Sequence, residues 1–118
     1  MKLIAVTLVF LALLSSCTYN KEELLYTNSC DTSNVKYSGQ VLNILTTNCI
    51  SCHSGTGASG GIRLDDYTSV RASAMSGRLL GSIAHAPGYR PMPDFAPKLP
   101  ECRIAEIRTW IRNGMLNN

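Results

Sequence analysis

Apolar residues along residues 38–118 recur every three or four positions, and polar, glycine-rich or proline-rich stretches separate the runs. Val41, Ile44, Leu45 and Asn48 fall at i, i+3, i+4 and i+7, which predicts a helix from about Ser38 or Gly39 to Asn48 with Ser38 as its N-cap. Asp65 and Asp66 precede Tyr67, Val70 and Ala74, the pattern of a short capped helix over 66–74. Leu79, Leu80 and Ile83 place another over 77–85. Ile104, Ile107, Trp110 and Ile111 form a stripe on a final helix from about Pro100 to Asn113, which Gly114 stops and whose Arg103, Arg108 and Arg112 face outward. No alternating strand pattern and no internal repeat is visible. The fold class is all-α, with four to five short helices.

The intervening stretches are as informative. All five prolines lie between Pro87 and Pro100, which excludes helix there and predicts a stiff, extended loop. The run Ser54-Gly55-Thr56-Gly57-Ala58-Ser59-Gly60-Gly61 is glycine-rich. A phosphate cradle needs a strand before such a loop, a helix after it and a suitably placed lysine, and these are missing here. The simpler reading is a loop that passes close to a bound group without side chains in the way.

Before the helical region, Lys2 and the apolar run Leu3–Leu14 read as a secretory signal, its 12 apolar-run residues too few to span a bilayer. Leu14-Ser15-Ser16-Cys17 resembles the cleavage box of bacterial lipoproteins, which implies acylation of Cys17. An ordinary signal cleaved before a small residue is the plainer alternative. The expected organisation is a signal over 1–16, a lipidated tether over 17–36 and one domain over 37–118. Losing Lys2 lowers the formal charge from +3 to +2. No basic stripe with interleaved aromatics suggests nucleic acid.

The chemistry concentrates at Cys49-Ile50-Ser51-Cys52-His53. Two cysteines three apart with histidine next is the attachment pattern of c-type haem. On one helical turn both thiols reach the vinyl groups of one porphyrin edge, and the histidine offers a ring nitrogen to the iron. A zinc site needs about four ligands, leaving only His85 and scattered cysteines to complete it. A thioredoxin-like dithiol expects a preceding strand in a βαβ pattern. With Cys17 assigned to lipid and Cys49 and Cys52 to haem, Cys30 and Cys102 remain as an even pair in an oxidising compartment. A Cys30–Cys102 disulfide would close 72 residues, worth roughly 4 kcal/mol of loop-closure entropy. Two free buried thiols are the alternative.

The haem motif, the helix before it, a methionine in the proline loop and a tryptophan on the final helix together resemble the class I cytochromes c over residues 37–118. The resemblance implies short helices around one covalent haem c, Cys49 and Cys52 as attachment points, and His53 and Met92 as axial ligands. Pro91 and Pro93 flank Met92 and would restrict it. Met75 and Met115 read as packing residues and His85 as the rival ligand. Relatives place a small residue eight before the first thiol and an aromatic four before it; this chain has Val41 and Leu45. Many also place a proline after the motif whose carbonyl orients the ligand histidine; this chain has none between His53 and Ile62. Trp110 matches the family's aromatic at the helix crossing. Arg90, Tyr89 and Tyr67 are candidate partners for haem propionates.

The implied function is a mono-haem electron carrier rather than an enzyme. It would be lipid-anchored to a bacterial membrane facing the periplasm, a monomer exchanging electrons with respiratory or periplasmic redox proteins. Two alternatives compete. One is a haem enzyme or gas- or peroxide-reactive domain with an open sixth position and His85 as acid/base; the other is a non-haem zinc or dithiol interaction module.

Overall fold

The computed structural model describes residues 30–118. The expected signal segment, Cys17 and the tether up to Ser29 lie outside the described residues. Among the described residues all regular structure is helical, and no helix is long and apolar enough to cross a membrane.

The first helical segment opens one residue ahead of Ser38. A π-type turn over Tyr37–Val41 runs directly into α1, Leu42–Asn48. Ser38 is not its cap. The boundary residue is Lys36, whose N–H donates to the Gln40 side chain at 3.0 Å, while Ser38 N–H donates to the Asn118 carbonyl at 2.9 Å. The wide turn comes from Val41 N–H reaching back five residues to the Lys36 carbonyl, 3.3 Å.

The next helix, α2, spans Tyr67–Met75, and Asp66 caps it by accepting from Ser69 N–H at 2.9 Å. Gly77, at φ +77°, makes the sharp left-handed step into α3, Arg78–Ile83. The last helix, α4, spans Glu101–Arg112 behind Pro100, and Gly114 at φ +89° turns the chain away after it.

The core gathers the predicted stripes. Val41, Ile44 and Leu45 of the first segment meet Val70, Ala74, Leu79 and Ile83 of α2 and α3, together with Ile104, Ile107 and Trp110 of α4. Arg103, Arg108 and Arg112 are exposed, as the periodicity required. Glu106 is the departure from that periodicity. It is buried on α4, where its carboxylate takes a 3.0 Å ion pair from Arg103 one turn earlier.

The crossing of the first segment and α4 is built around an unforeseen aromatic. Tyr37 stacks tilted on Trp110 with ring centroids 5.6 Å apart and meets Tyr67 edge-on at 5.1 Å. Leu45 is fully buried but aliphatic, so the aromatic contact enters from the start of the segment instead. The chain's last residues close over this cluster. Trp110 Nε1 donates to the Leu116 carbonyl at 2.9 Å, Tyr67 hydroxyl to the Met115 carbonyl at 2.7 Å, and Tyr37 N–H to the Asn118 side chain at 3.0 Å. The Tyr67 hydroxyl thus donates to the main chain.

Cys30 and Cys102 are joined in a disulfide, with Cα atoms 5.4 Å apart. It ties the chain ahead of Val35, itself buried, to the first turn of α4. Replacing both cysteines with serine is expected to lower stability by about 2–4 kcal/mol, because the unfolded chain regains the freedom of a long loop. Denaturant unfolding of the two proteins would measure it. A change below about 0.5 kcal/mol would assign the stability to packing alone.

Candidate functional site

The end of α1 delivers the cysteine motif. Asn48 donates its side-chain amide to the Ile44 carbonyl at 2.8 Å, competing with the helix ladder at its last turn. Cys49 and Ile50 N–H groups both converge on the Leu45 carbonyl, at 2.8 and 3.1 Å, and the helix stops. The chain then winds once more. Cys52 and His53 N–H groups both donate to the Cys49 carbonyl, at 3.1 and 2.9 Å. One carbonyl therefore gathers the two thiols and the imidazole onto a single turn.

Both thiols are free. Cys49 is half-buried and Cys52 exposed, so one face of the motif is sunk against the core and the other meets solvent. Burial pushes the Cys49 thiol up to about 11. It is a protonated thiol at neutral pH, the opposite of the low-pKa thiolate on which redox dithiols depend.

His53 is buried, and the loop after it supplies a main-chain partner for its ring although no proline lies between His53 and Ile62. Its Nδ1 lies 2.9 Å from the Ile62 carbonyl. A carbonyl can only accept, so Nδ1 carries a proton, and in the neutral imidazole the lone pair is then on Nε2. The same segment is pinned at three further points. Leu64 N–H donates to the His53 carbonyl at 2.8 Å, Ser59 N–H to the Cys52 carbonyl at 2.8 Å, and Gly55 N–H to the Asp65 carboxylate at 2.9 Å. Arg63 grips the same carboxylate at 3.0 Å, and its guanidinium, with Gly55 N–H, holds Asp65 below the usual carboxylate range. Gly55, Gly60 and Gly61 all have left-handed backbone, and a Cβ added at any of them meets no protein atom. Backbone conformation explains these three glycines; crowding within the protein does not.

Met92 is half-buried in the proline loop and fixed by its main chain. Its N–H donates to the Ser82 carbonyl at 3.1 Å and its carbonyl lies 3.0 Å from His85 Nε2. His85 is exposed and occupied with that contact. Tyr89 lies across α3, so close that a Cβ at Gly81 would fall 2.5 Å from its ring. Arg90 pairs with Asp94 four residues on. Met75 is exposed, and Met115 packs against the core.

Separate frames thus place the two sets of candidate ligands. His53 belongs to the turn and loop after α1, Met92 to the end of α3 and its following loop. Two surface concavities lie elsewhere. One of about 420 Å³ is walled by Leu80, Gly81, Ala84, Tyr89, Arg108 and Ile111, the other of about 230 Å³ by residues that include Ile44, Leu99 and Arg103. Neither is lined by Cys49, Cys52, His53 or Met92. Among the described residues no three His, Cys, Asp or Glu side chains are grouped to hold a metal ion by themselves. No protein-family model, no curated protein and no solved structure matches this chain.

Proposed function

We propose that the chain is a mono-haem c-type cytochrome, folded as a class I cytochrome c, that carries single electrons outside the cytoplasm. The observation that supports this most is the state of His53. Its Nδ1–H is committed to the Ile62 carbonyl, which leaves Nε2 as a fixed donor atom, and two unpaired thiols share its turn. A metal-binding imidazole characteristically gives its other N–H to a carbonyl or carboxylate in this way. Cys49 and Cys52 therefore fit a covalent haem as thioether attachment points and His53 as an axial ligand, and Met92 would be the second axial ligand.

When bound, the haem would supply one-electron iron chemistry. The chain's part is to hold two axial ligands that stay the same in both oxidation states. If His53 and Met92 both held the group, electron transfer would be favoured over bond chemistry, and the Met92 thioether would raise the potential. Cys52 is exposed, which puts the motif's edge where a partner can dock briefly through a small interface. An acyl group on Cys17 and a short tether would keep the domain near membrane redox partners and raise their effective concentration.

The zinc reading would need ligands beyond the cysteine motif, and the described residues do not group them. The dithiol reading meets a Cys49 thiol that burial keeps protonated.

Absorption spectra of ferric and ferrous protein, matured in an export-competent host, test the proposal. A c-type spectrum with the weak methionine-to-ferric-iron charge-transfer band is expected, and Met92→Ala is expected to abolish that band while keeping the haem. A haem spectrum without the band, and with carbon monoxide binding to the unsubstituted protein, would move the function to an open-site enzyme or sensor. A protein without a Soret band would be a non-haem module.

A further inference from the structure

Prolines on both sides of Met92 stiffen the loop, but stiffness fixes a shape and not a place. Pro91 and Pro93 carry no N–H, so the Met92 N–H is the sole main-chain donor between those of Arg90 and Asp94. Both polar main-chain groups of Met92 are nevertheless engaged by one end of one helix. The N–H donates to the carbonyl of Ser82 in α3, 3.1 Å away. The carbonyl lies 3.0 Å from Nε2 of His85, two residues beyond the end of α3.

We propose that His85 is a positioning residue that sets where Met92 presents its thioether, and not a ligand or a proton donor itself. The inference rests on Met92 being the sixth ligand. A carbonyl only accepts, so His85 donates from Nε2. That proton is in use for holding the loop.

Two further features agree. His85 has φ +56°, a left-handed backbone that is uncommon outside glycine. The same conformation belongs to a turn in which His85 N–H donates to the Ser82 carbonyl at 3.2 Å and Ala86 N–H to Gly81 at 2.9 Å. The Tyr89 ring then lies over Gly81 and presses the middle of the loop onto α3. His85, Tyr89 and Met92 thus bind the first half of the loop to the helix at three points.

A thioether is a weak ligand and loses to stronger ones unless it is held in place. Imidazole competition therefore measures the hold. Ferric protein is titrated with imidazole while the methionine charge-transfer band is followed, in the unsubstituted protein, His85→Asn and His85→Gln. Asparagine accepts the left-handed backbone but is one methylene too short to reach the carbonyl; the glutamine amide reaches it. With His85→Asn the imidazole concentration for half-displacement is expected to fall roughly 2- to 10-fold, the range for one hydrogen bond. His85→Gln is expected to recover most of it.

A midpoint for His85→Asn equal to that of the unsubstituted protein overturns the positioning role. So does His85→Gln as weak as His85→Asn, because a general disturbance of the turn would then explain both. If the unsubstituted protein has haem but no methionine band, Met92 is not the ligand, and both proposals about it fall together. A band that is present yet insensitive to residue 85 overturns this inference alone.

Discussion

The double variant Cys49→Ser, Cys52→Ser is expected to carry no covalently attached haem. The unsubstituted protein should keep haem through denaturation and acid extraction, whereas the variant should release all of it, and a haem stain after denaturing electrophoresis would show the difference. The geometry makes the pair act together. One carbonyl, that of Cys49, organises the turn that holds both thiols and His53. Serine keeps that main-chain turn intact and replaces each sulfur with an oxygen that does not add across a vinyl group under the same conditions. Each single variant is expected to retain one attachment point and thus a partial stain. Haem that survives denaturation in the double variant would disprove covalent attachment at this motif. Loss of folding in all three variants would be visible in the far-ultraviolet helix signal, which the serine substitutions are expected to leave unchanged until haem is removed.

The parts of the molecule that were legible in its sequence are those written in side chains. The stripe Ile104, Ile107, Trp110 predicted the buried face of α4, and Asp66 predicted the start of α2, because burial and capping each demand a particular residue type. Gly114 marked the end of α4 for the same reason, since it takes left-handed backbone, whereas Gly77, expected inside the next helix, is the left-handed residue before it. Features carried by the main chain left no such trace. The Ile62 carbonyl orients His53, and any residue could supply a carbonyl there. The His85–Met92 contact was hidden by its dependence on how the proline loop folds back on α3, which spacing does not record.

The aromatic at the helix crossing shows a third kind of difficulty. The expected position was Leu45, four residues before the first thiol, and the ring that meets Trp110 is Tyr37, eight residues earlier still. Tyr37 precedes the expected start at Ser38 or Gly39 and was therefore not placed on a helix. The π-type turn that brings it in depends on a bond from Val41 to Lys36, an i to i−5 contact that three- and four-residue periodicity does not detect. The core is satisfied by one aromatic at the crossing, but the sequence position that provides it can shift when the local winding changes.

That crossing should dominate the energetics of the fold. Trp110 is 1 % exposed, packs against Tyr37 and donates its indole N–H to the Leu116 carbonyl. Trp110→Ala is expected to cost about 3–5 kcal/mol, since it removes the largest fully buried side chain and leaves a cavity where the first segment, α2 and the final residues converge. Trp110→Phe keeps a ring against Tyr37 and loses the N–H donor. Leu116 is exposed, so water can satisfy its freed carbonyl, and a smaller cost of about 1–2 kcal/mol is expected. Trp110 is the chain's single tryptophan, so both variants lose that fluorescence and far-ultraviolet circular dichroism in denaturant is the appropriate measurement. An alanine cost below about 1 kcal/mol would mean that contacts other than this crossing, the disulfide among them, hold the first segment against α4. A phenylalanine cost equal to that of alanine would instead make the indole N–H the critical contact, with the closing residues 115–118 as what it secures.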